Sequence, residues 1–261
     1  MILIKHEIRQ AKKSLAVWTI AISFLLVICI LIFPEMEGEI TGMGEMFSSM
    51  GAFTEAFGMN QVNFATLSGF YAVECGNILG LGGALFAAMC GVCILAKEEG
   101  NCTAEFLLSH PVDRKKIVTE KLMAVILEII IINFFVFFAA VCAVAIIGES
   151  VPWKEFCLLH LAYFLMQFEI LGICFGISAF LRHGGIGIGM GVAACLYFAN
   201  LIANLSEHAE FLKYITPFGY ADGADIVARG SIDIGLVIVG MLYGAAGIAA
   251  AYIRYYTKDI Q

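Results

Sequence analysis

Charge is what this sequence has least of. Asp, Glu, Lys and Arg supply 14% of its 261 residues, where a soluble domain carries about 25%. Apolar residues supply 61%, and the mean hydropathy is +0.91. That balance excludes a water-soluble fold and reads as an integral membrane protein. Proline is scarce, with four in the chain, and the apolar runs do not alternate. A transmembrane β-barrel needs alternating strands, so the spans are expected to be helices. Enzyme signatures are missing: there is no G-x-x-x-x-G-K-[ST], no H-E-x-x-H and no G-x-S-x-G. The nine cysteines include no even, loop-borne set of the kind that builds a disulfide framework. Cys90 and Cys93 have C-x-x-C spacing, but inside an apolar run and without further ligands. They read as small buried side chains, and no metal site is expected. No soluble domain, long repeat or low-complexity tract interrupts the chain. The net charge of −7 comes from unevenly placed acids, and no nucleic-acid partner is expected.

What is present is a series of apolar runs. They cover 15–33, 71–96, 122–147, 156–181, 186–205 and 232–253, each near the roughly 20 residues a membrane-spanning helix needs. The chain is therefore expected to be one all-α transmembrane domain, 1–261, with six spans. Residues 1–14 precede the first span. Ile4, Ile8, Ala11 and Leu15 share one helical stripe, and Lys5, Arg9, Lys12 and Lys13 the opposite face. This pattern predicts an interfacial elbow helix. The run after it is too long for the core of a cleaved signal peptide. Residues 34–70 carry Glu35, Glu37, Glu39, Glu45 and Glu55 but no Lys or Arg, and read as an outer loop with short helices skimming the membrane. With the N-terminus inside, inner segments hold twelve Lys and Arg and outer ones only Lys154, Lys213 and Arg229. The positive-inside rule then predicts both termini in the cytoplasm.

The longest charged interval between spans is 97–121, KEEGNCTAEFLLSHPVDRKKIVTEK. Asn101 is a suitable N-cap for one or two turns over 103–109. Pro111 ends them, and Asp113 stands as the N-cap of a helix opening at Arg114. Glu98/Glu99, Gly100, Thr103, Glu105, Leu107, Leu108, Ser109, Pro111, Val112, Arg114, Ile117 and Lys121 resemble the E-x-G-T-x-E-x-L-L-S-x-P-V-x-R pattern of ABC-2 type transporter permeases. Asn101-Cys102 intervenes before Thr103, and His110 stands where Thr is common. Thr216–Tyr220, TPFGY, resembles the S-P-F-x-Y stretch before that family's last helix, and Gly69-Phe70 a step in its first outer loop. The resemblance implies an exporter permease whose coupling helix docks on a separate ATPase subunit through Glu98, Glu99, Gly100, Thr103, Glu105, Phe106, Leu107, Leu108, Ser109, Pro111 and Arg114. ATP and Mg would be bound by that partner, with no cofactor and no hydrolysis in this chain. It also implies pairing with a second transmembrane subunit, identical or homologous, in contact with membrane lipid. An amphiphilic substrate is expected: a drug, an antimicrobial peptide or a lipid. The plainer readings are positive-inside charge for Arg114, Lys115 and Lys116, and lipid contact for Phe106, Leu107 and Leu108.

Ionisable residues inside spans are costly in lipid and face a partner or a cavity. Glu128 and Glu169 are the candidates, with Glu74 near the outer end of its span. His160, Tyr163 and Gln167 share one face of the fourth span, and Tyr197, Asn200 and Asn204 one face of the fifth; Asn133 stands alone on the third. All are candidates for the substrate pathway, or for interhelical hydrogen bonds that hold the bundle. The alternative function is an ion-coupled carrier or intramembrane enzyme using Glu128, Glu169 and His160. The missing nucleophile and metal motifs speak against the enzyme, and the lack of an inverted repeat against the carrier. Gly185/Gly189, Gly187/Gly191, Gly172/Gly176 and Gly240/Gly244 have the spacing that lets helices approach closely.

Overall fold

A computed structural model describes residues 2–40, 51–101 and 113–258. Regular structure among them is helical, with no strand. In chain order the helices are α1 (Ile2–Ile40), α2 (Gly51–Ala56), α3 (Leu67–Cys93), α4 (Lys97–Gly100), α5 (Arg114–Ile146), α6 (Trp153–Ser178), α7 (Ile186–Leu205), α8 (Gly223–Arg229) and α9 (Ile234–Thr257). Two 3₁₀ turns, Glu207–Tyr214 and Pro217–Gly219, lie between α7 and α8. Among the described residues six helices, α1, α3, α5, α6, α7 and α9, are long and apolar enough to cross a membrane. The chain is a multi-pass membrane protein.

The boundaries follow from local chemistry. Asp113 caps α5 as its sequence position predicts, accepting from the Lys115 amide at 3.3 Å. Thr66 caps α3 by accepting from the Gly69 amide. That helix contains a π-turn over Tyr71–Cys75, a local widening of the helix. The expected elbow is not a separate element: residues 2–14 and the first span form one 39-residue helix. No Gly or Pro stands between residues 2 and 33 to break it. Pro34 is absorbed within the same helix. With α1 running to Ile40 and α3 opening at Leu67, the expected outer loop 34–70 is shorter than the sequence predicts. Asn101 proves to be the C-cap of α4; the helix it was expected to open falls at 102–112, outside the described residues.

Helix α6 is central, packed against α9 on one side and α3 on the other, while α1 lies along α5 and α7 against α3. The α6–α9 crossing is backbone on backbone. A Cβ at Gly172 would lie 2.5 Å from the Gly244 carbonyl oxygen, and one at Gly176 2.7 Å from that of Gly247. Gly189 packs equally closely on Val92 and Ala88 of α3, whereas Gly187 and Gly191 have no neighbour within 4 Å of such a Cβ. The small-residue spacing therefore serves packing in α6 and α9 and only on one face of α7. Ile20, Phe24, Phe134, Phe138, Phe198 and Leu242 point outward, the apolar girdle a bilayer covers.

Candidate functional site

Residues near both termini meet at one end of the bundle. Lys121 of α5 is fully buried. An ammonium there is costly unless its three N–H donors are all used, and they are. Lys121 Nζ donates to Glu7 Oε1 at 2.7 Å, Glu98 Oε1 at 2.8 Å and the Ile94 carbonyl at 3.0 Å. The other Glu7 oxygen pairs with Lys97, which also donates to Gln10 at 3.0 Å. Lys258 pairs with Glu99 at 2.6 Å and donates to the Leu181 carbonyl at 2.8 Å. Arg114 donates to the Lys258 carbonyl at 2.7 Å and to those of Tyr256 and Tyr255 at 3.3 and 3.4 Å. It thereby satisfies the end of α9, where the last carbonyls lack helical partners. Ser178 Oγ accepts from the amides of Leu95 and Ala96 at 3.0 and 3.2 Å, securing the turn between α3 and α4.

This arrangement places the described members of the expected docking set. Glu98, Glu99 and Arg114 are engaged with this chain's own Lys121, Lys258 and α9 carbonyls rather than turned outward. They anchor the two ends of the segment. Gly100 is exposed beside His183 and Gly184. Thr103, Glu105, Phe106, Leu107, Leu108, Ser109 and Pro111 lie outside the described residues.

The intramembrane candidates are all in contact with neighbouring helices. Asn133 and Gln167 form a reciprocal amide pair, at 2.7 and 3.4 Å, between α5 and α6. His160 Nε2 meets the Tyr71 hydroxyl at 2.7 Å, at the π-turn of α3, with Phe137 edge-on to its ring. Glu128 is buried and accepts from Cys90 Sγ at 3.4 Å. Glu169 accepts from the Tyr220 hydroxyl at 3.0 Å through Oε2, while its Oε1 is buried without a partner. A Cβ at Gly240 would overlap that carboxylate, so α9 makes room for it. Tyr197 donates to Asn77 at 3.1 Å, and Asn204 to Asp222 at 2.8 Å and the Ala56 carbonyl at 3.2 Å.

Three of these nine, Tyr163, Tyr197 and Asn200, line a cavity of about 40 Å³, together with Asn77, Asp222, Gly76, Gly80 and Phe218. It has room for a few waters. Asn200 Oδ1 is buried and unpartnered. Asp222 caps α8 through the amides of Ala224 and Asp225, and burial, with Asp225 nearby, pushes its carboxyl up. Glu128, Asn133, His160, Gln167 and Glu169 are not among the cavity's walls. Glu128, Glu169 and His160 each have a different partner: Cys90, Tyr220 and Tyr71. A wider cleft of about 480 Å³ lies at the opposite end from the termini, between the 3₁₀ turns, α8 and the start of α9. Among the described residues no group of His, Cys, Asp or Glu is placed to hold a metal.

Sequence reasoning missed Glu7, Lys97, Lys121, Lys258 and Tyr220 as site residues. Periodicity held a signal for two of them. Lys121 falls on the stripe of Ile117, Ala124 and Glu128, the buried face of α5, and Glu7 lies beside Ile4, Ile8 and Ala11 on the inward face of α1. A charge on the apolar face of a span needs a counter-charge across the interface. A family model described as ABC-2 family transporter protein matches residues 1–260. No curated protein matches the chain.

Proposed function

The chain belongs to the ABC-2 family of transporter proteins, and from that membership we propose that it is the permease subunit of an ABC exporter. It couples ATP hydrolysis in a separate ATPase subunit to movement of an amphiphile across the cell membrane. Its termini and the 97–121 segment face the cytoplasm, where the ATPase binds ATP and Mg. A second transmembrane subunit, identical or homologous, completes the assembly.

The observation that carries this reading is the anchoring of the 97–121 segment. On one side Glu98 and Glu99 are ion-paired to α5 and to Lys258, and on the other Arg114, which opens α5, grips the end of α9. A loop secured at both ends to three spans can transmit force; an unanchored one cannot. Leu107 and Leu108 supply the apolar anchor for the ATPase groove, and Glu105 a polar contact at its rim. The polar residues around the 40 Å³ cavity, Tyr163, Tyr197 and Asn200, border the substrate path. The remaining paired residues hold the bundle.

The test is capture of the ATPase subunit by the permease. Leu107→Asp or Leu108→Asp would bury an unpaired charge in the contact. Each should abolish ATPase capture, normalised to permease in the membrane, while insertion and melting stay unchanged. Full capture by both variants would remove the segment from the coupling role.

A further inference from the structure

Three carboxylates and three ammoniums close on one another at the end of the bundle that carries both termini. Resting on the docking reading above, we propose that they form a clasp with two separate arms. One arm carries movement of the docking segment into α1, and the other into α9. Glu7 and Lys121 are the positioning residues of the first, Glu99 and Lys258 of the second.

The arms diverge from adjacent residues. Glu98 reaches Lys121, whose remaining donors go to Glu7 and the Ile94 carbonyl. Glu7 in turn holds Lys97, so α1, α5 and the start of the segment share one buried charge network. The Leu3 amide, donating to Glu120 at 3.1 Å, adds a second tie between α1 and α5. Glu99 points the other way, to Lys258, which also holds the Leu181 carbonyl just beyond α6. Helix α4, between the arms, is four residues long with no buried residue of its own. Its Lys97, Glu98 and Glu99 tie it to Glu7, Lys121 and Lys258.

Stability alone is a weak reason for such a network. A buried ion pair is about as stable as well-packed apolar side chains in its place, but separating its partners leaves an uncompensated charge. Apolar contacts slide with little penalty; paired charges at 2.6–2.8 Å fix a register. When a docked subunit displaces the segment, α1 and α9 must follow or the pairs must separate.

The experiment is hydrogen exchange on the full-length permease bound to its ATPase, with and without the non-hydrolysable analogue AMP-PNP. In the wild type, exchange should change with nucleotide at 97–101, at 2–12 and at 250–257. In Glu7→Gln/Lys121→Met the change at 2–12 should disappear while that at 250–257 persists. In Glu99→Gln/Lys258→Met the reverse should hold. If both responses survive in both variants, or each variant loses both, there are no separate arms and the proposal is overturned. A wild-type complex that forms but shows no nucleotide response at 2–12 and 250–257 overturns it as well. If the wild-type permease captures no ATPase, the docking reading itself fails and the clasp falls with it. Should a double variant not insert, Glu7→Gln alone keeps the shape and should weaken the 2–12 response only.

Discussion

Gly172→Ala tests the packing on which the bundle depends. The added methyl would lie 2.5 Å from the Gly244 carbonyl oxygen and 2.8 Å from its Cα and carbonyl carbon. Ordinary contacts of this kind lie near 3.5 Å, so α6 and α9 must separate by about 1 Å. Nothing can yield locally, because the atoms in the way are glycine backbone. A gap of that size forfeits roughly a quarter to a half of the dispersion at each contact. Overpacking of a rigid site costs about 1–3 kcal/mol, here at the upper end. Alanine is the better helix former by about 1 kcal/mol, which offsets part of the loss. The net expectation is about 1–2 kcal/mol of destabilisation. Gly191→Ala is the matched control: its Cβ would meet nothing within 4 Å, so only the propensity gain remains. Melting in detergent, followed by size-exclusion fluorescence, compares the two. Equal melting of Gly172→Ala and Gly191→Ala would refute the close crossing.

The topology should place an accessible cysteine at Glu45 and a protected one at Lys115 when whole cells are labelled from outside; the reverse pattern removes the cytoplasmic assignment. Leu substitution of both Asn133 and Gln167 should cost less than the sum of the single changes, with a coupling near 0.6 kcal/mol in a double-mutant melting cycle; strict additivity would mean that the amides do not pair. Glu169→Gln should leave ATPase capture intact and change turnover by the reconstituted complex, and if turnover and melting are both unaltered the carboxylate is a packing residue. Burial raises the Asp222 carboxyl above its ordinary value, so it stabilises the fold when protonated. That contribution is full below the ordinary carboxylate range and is lost as pH rises through the raised value. Asp222→Asn, which keeps the cap on α8, should therefore flatten the acid-side dependence of melting; an unchanged profile would contradict this.

The spans were legible because each signal was local. Asp113 announced the start of α5 three ways, as a good capping side chain, after a proline and before a helix-forming run, and it caps the helix as read. The 186–205 span has the same limits in sequence and structure. The start of α1 was harder, because amphipathic and apolar stretches are both helical and no breaker separates them. The expected elbow merges into one long helix. The polar residues within the spans were named one by one, but the grouping of three of them around one cavity was not legible. Tyr163 and Asn200 meet in one cavity only because the segment between α7 and α9 folds back over them, with Thr216 donating to the Leu196 carbonyl at 2.8 Å and Phe218 buried beneath.

The charge count behind the expected orientation includes residues with other work. Three of the twelve basic residues assigned to the inner side, Lys97, Lys121 and Lys258, are ion-paired within the chain. They are balanced by Glu7, Glu98 and Glu99, so this cluster adds no net charge to that face. Removing them leaves nine basic residues against Lys154, Lys213 and Arg229. Two of those three lie near one acid, Asp225, at 3.8 and 3.7 Å. The bias keeps its sign because positive-inside orientation depends on Lys and Arg near the span ends and little on nearby acids. Orientation and anchoring therefore draw on the same lysines without conflict. A variant such as Lys121→Met should insert with unchanged topology, nine unpaired basic residues and Lys97 and Lys258 remaining on its side, yet loosen the hold of α1 on the 97–101 stretch, which Glu7–Lys97 alone would then keep. Labelling that found its topology inverted would mean that Lys121 acts mainly as a topogenic charge. It would also mean that the pairs at this end follow from orientation rather than serving to hold the segment.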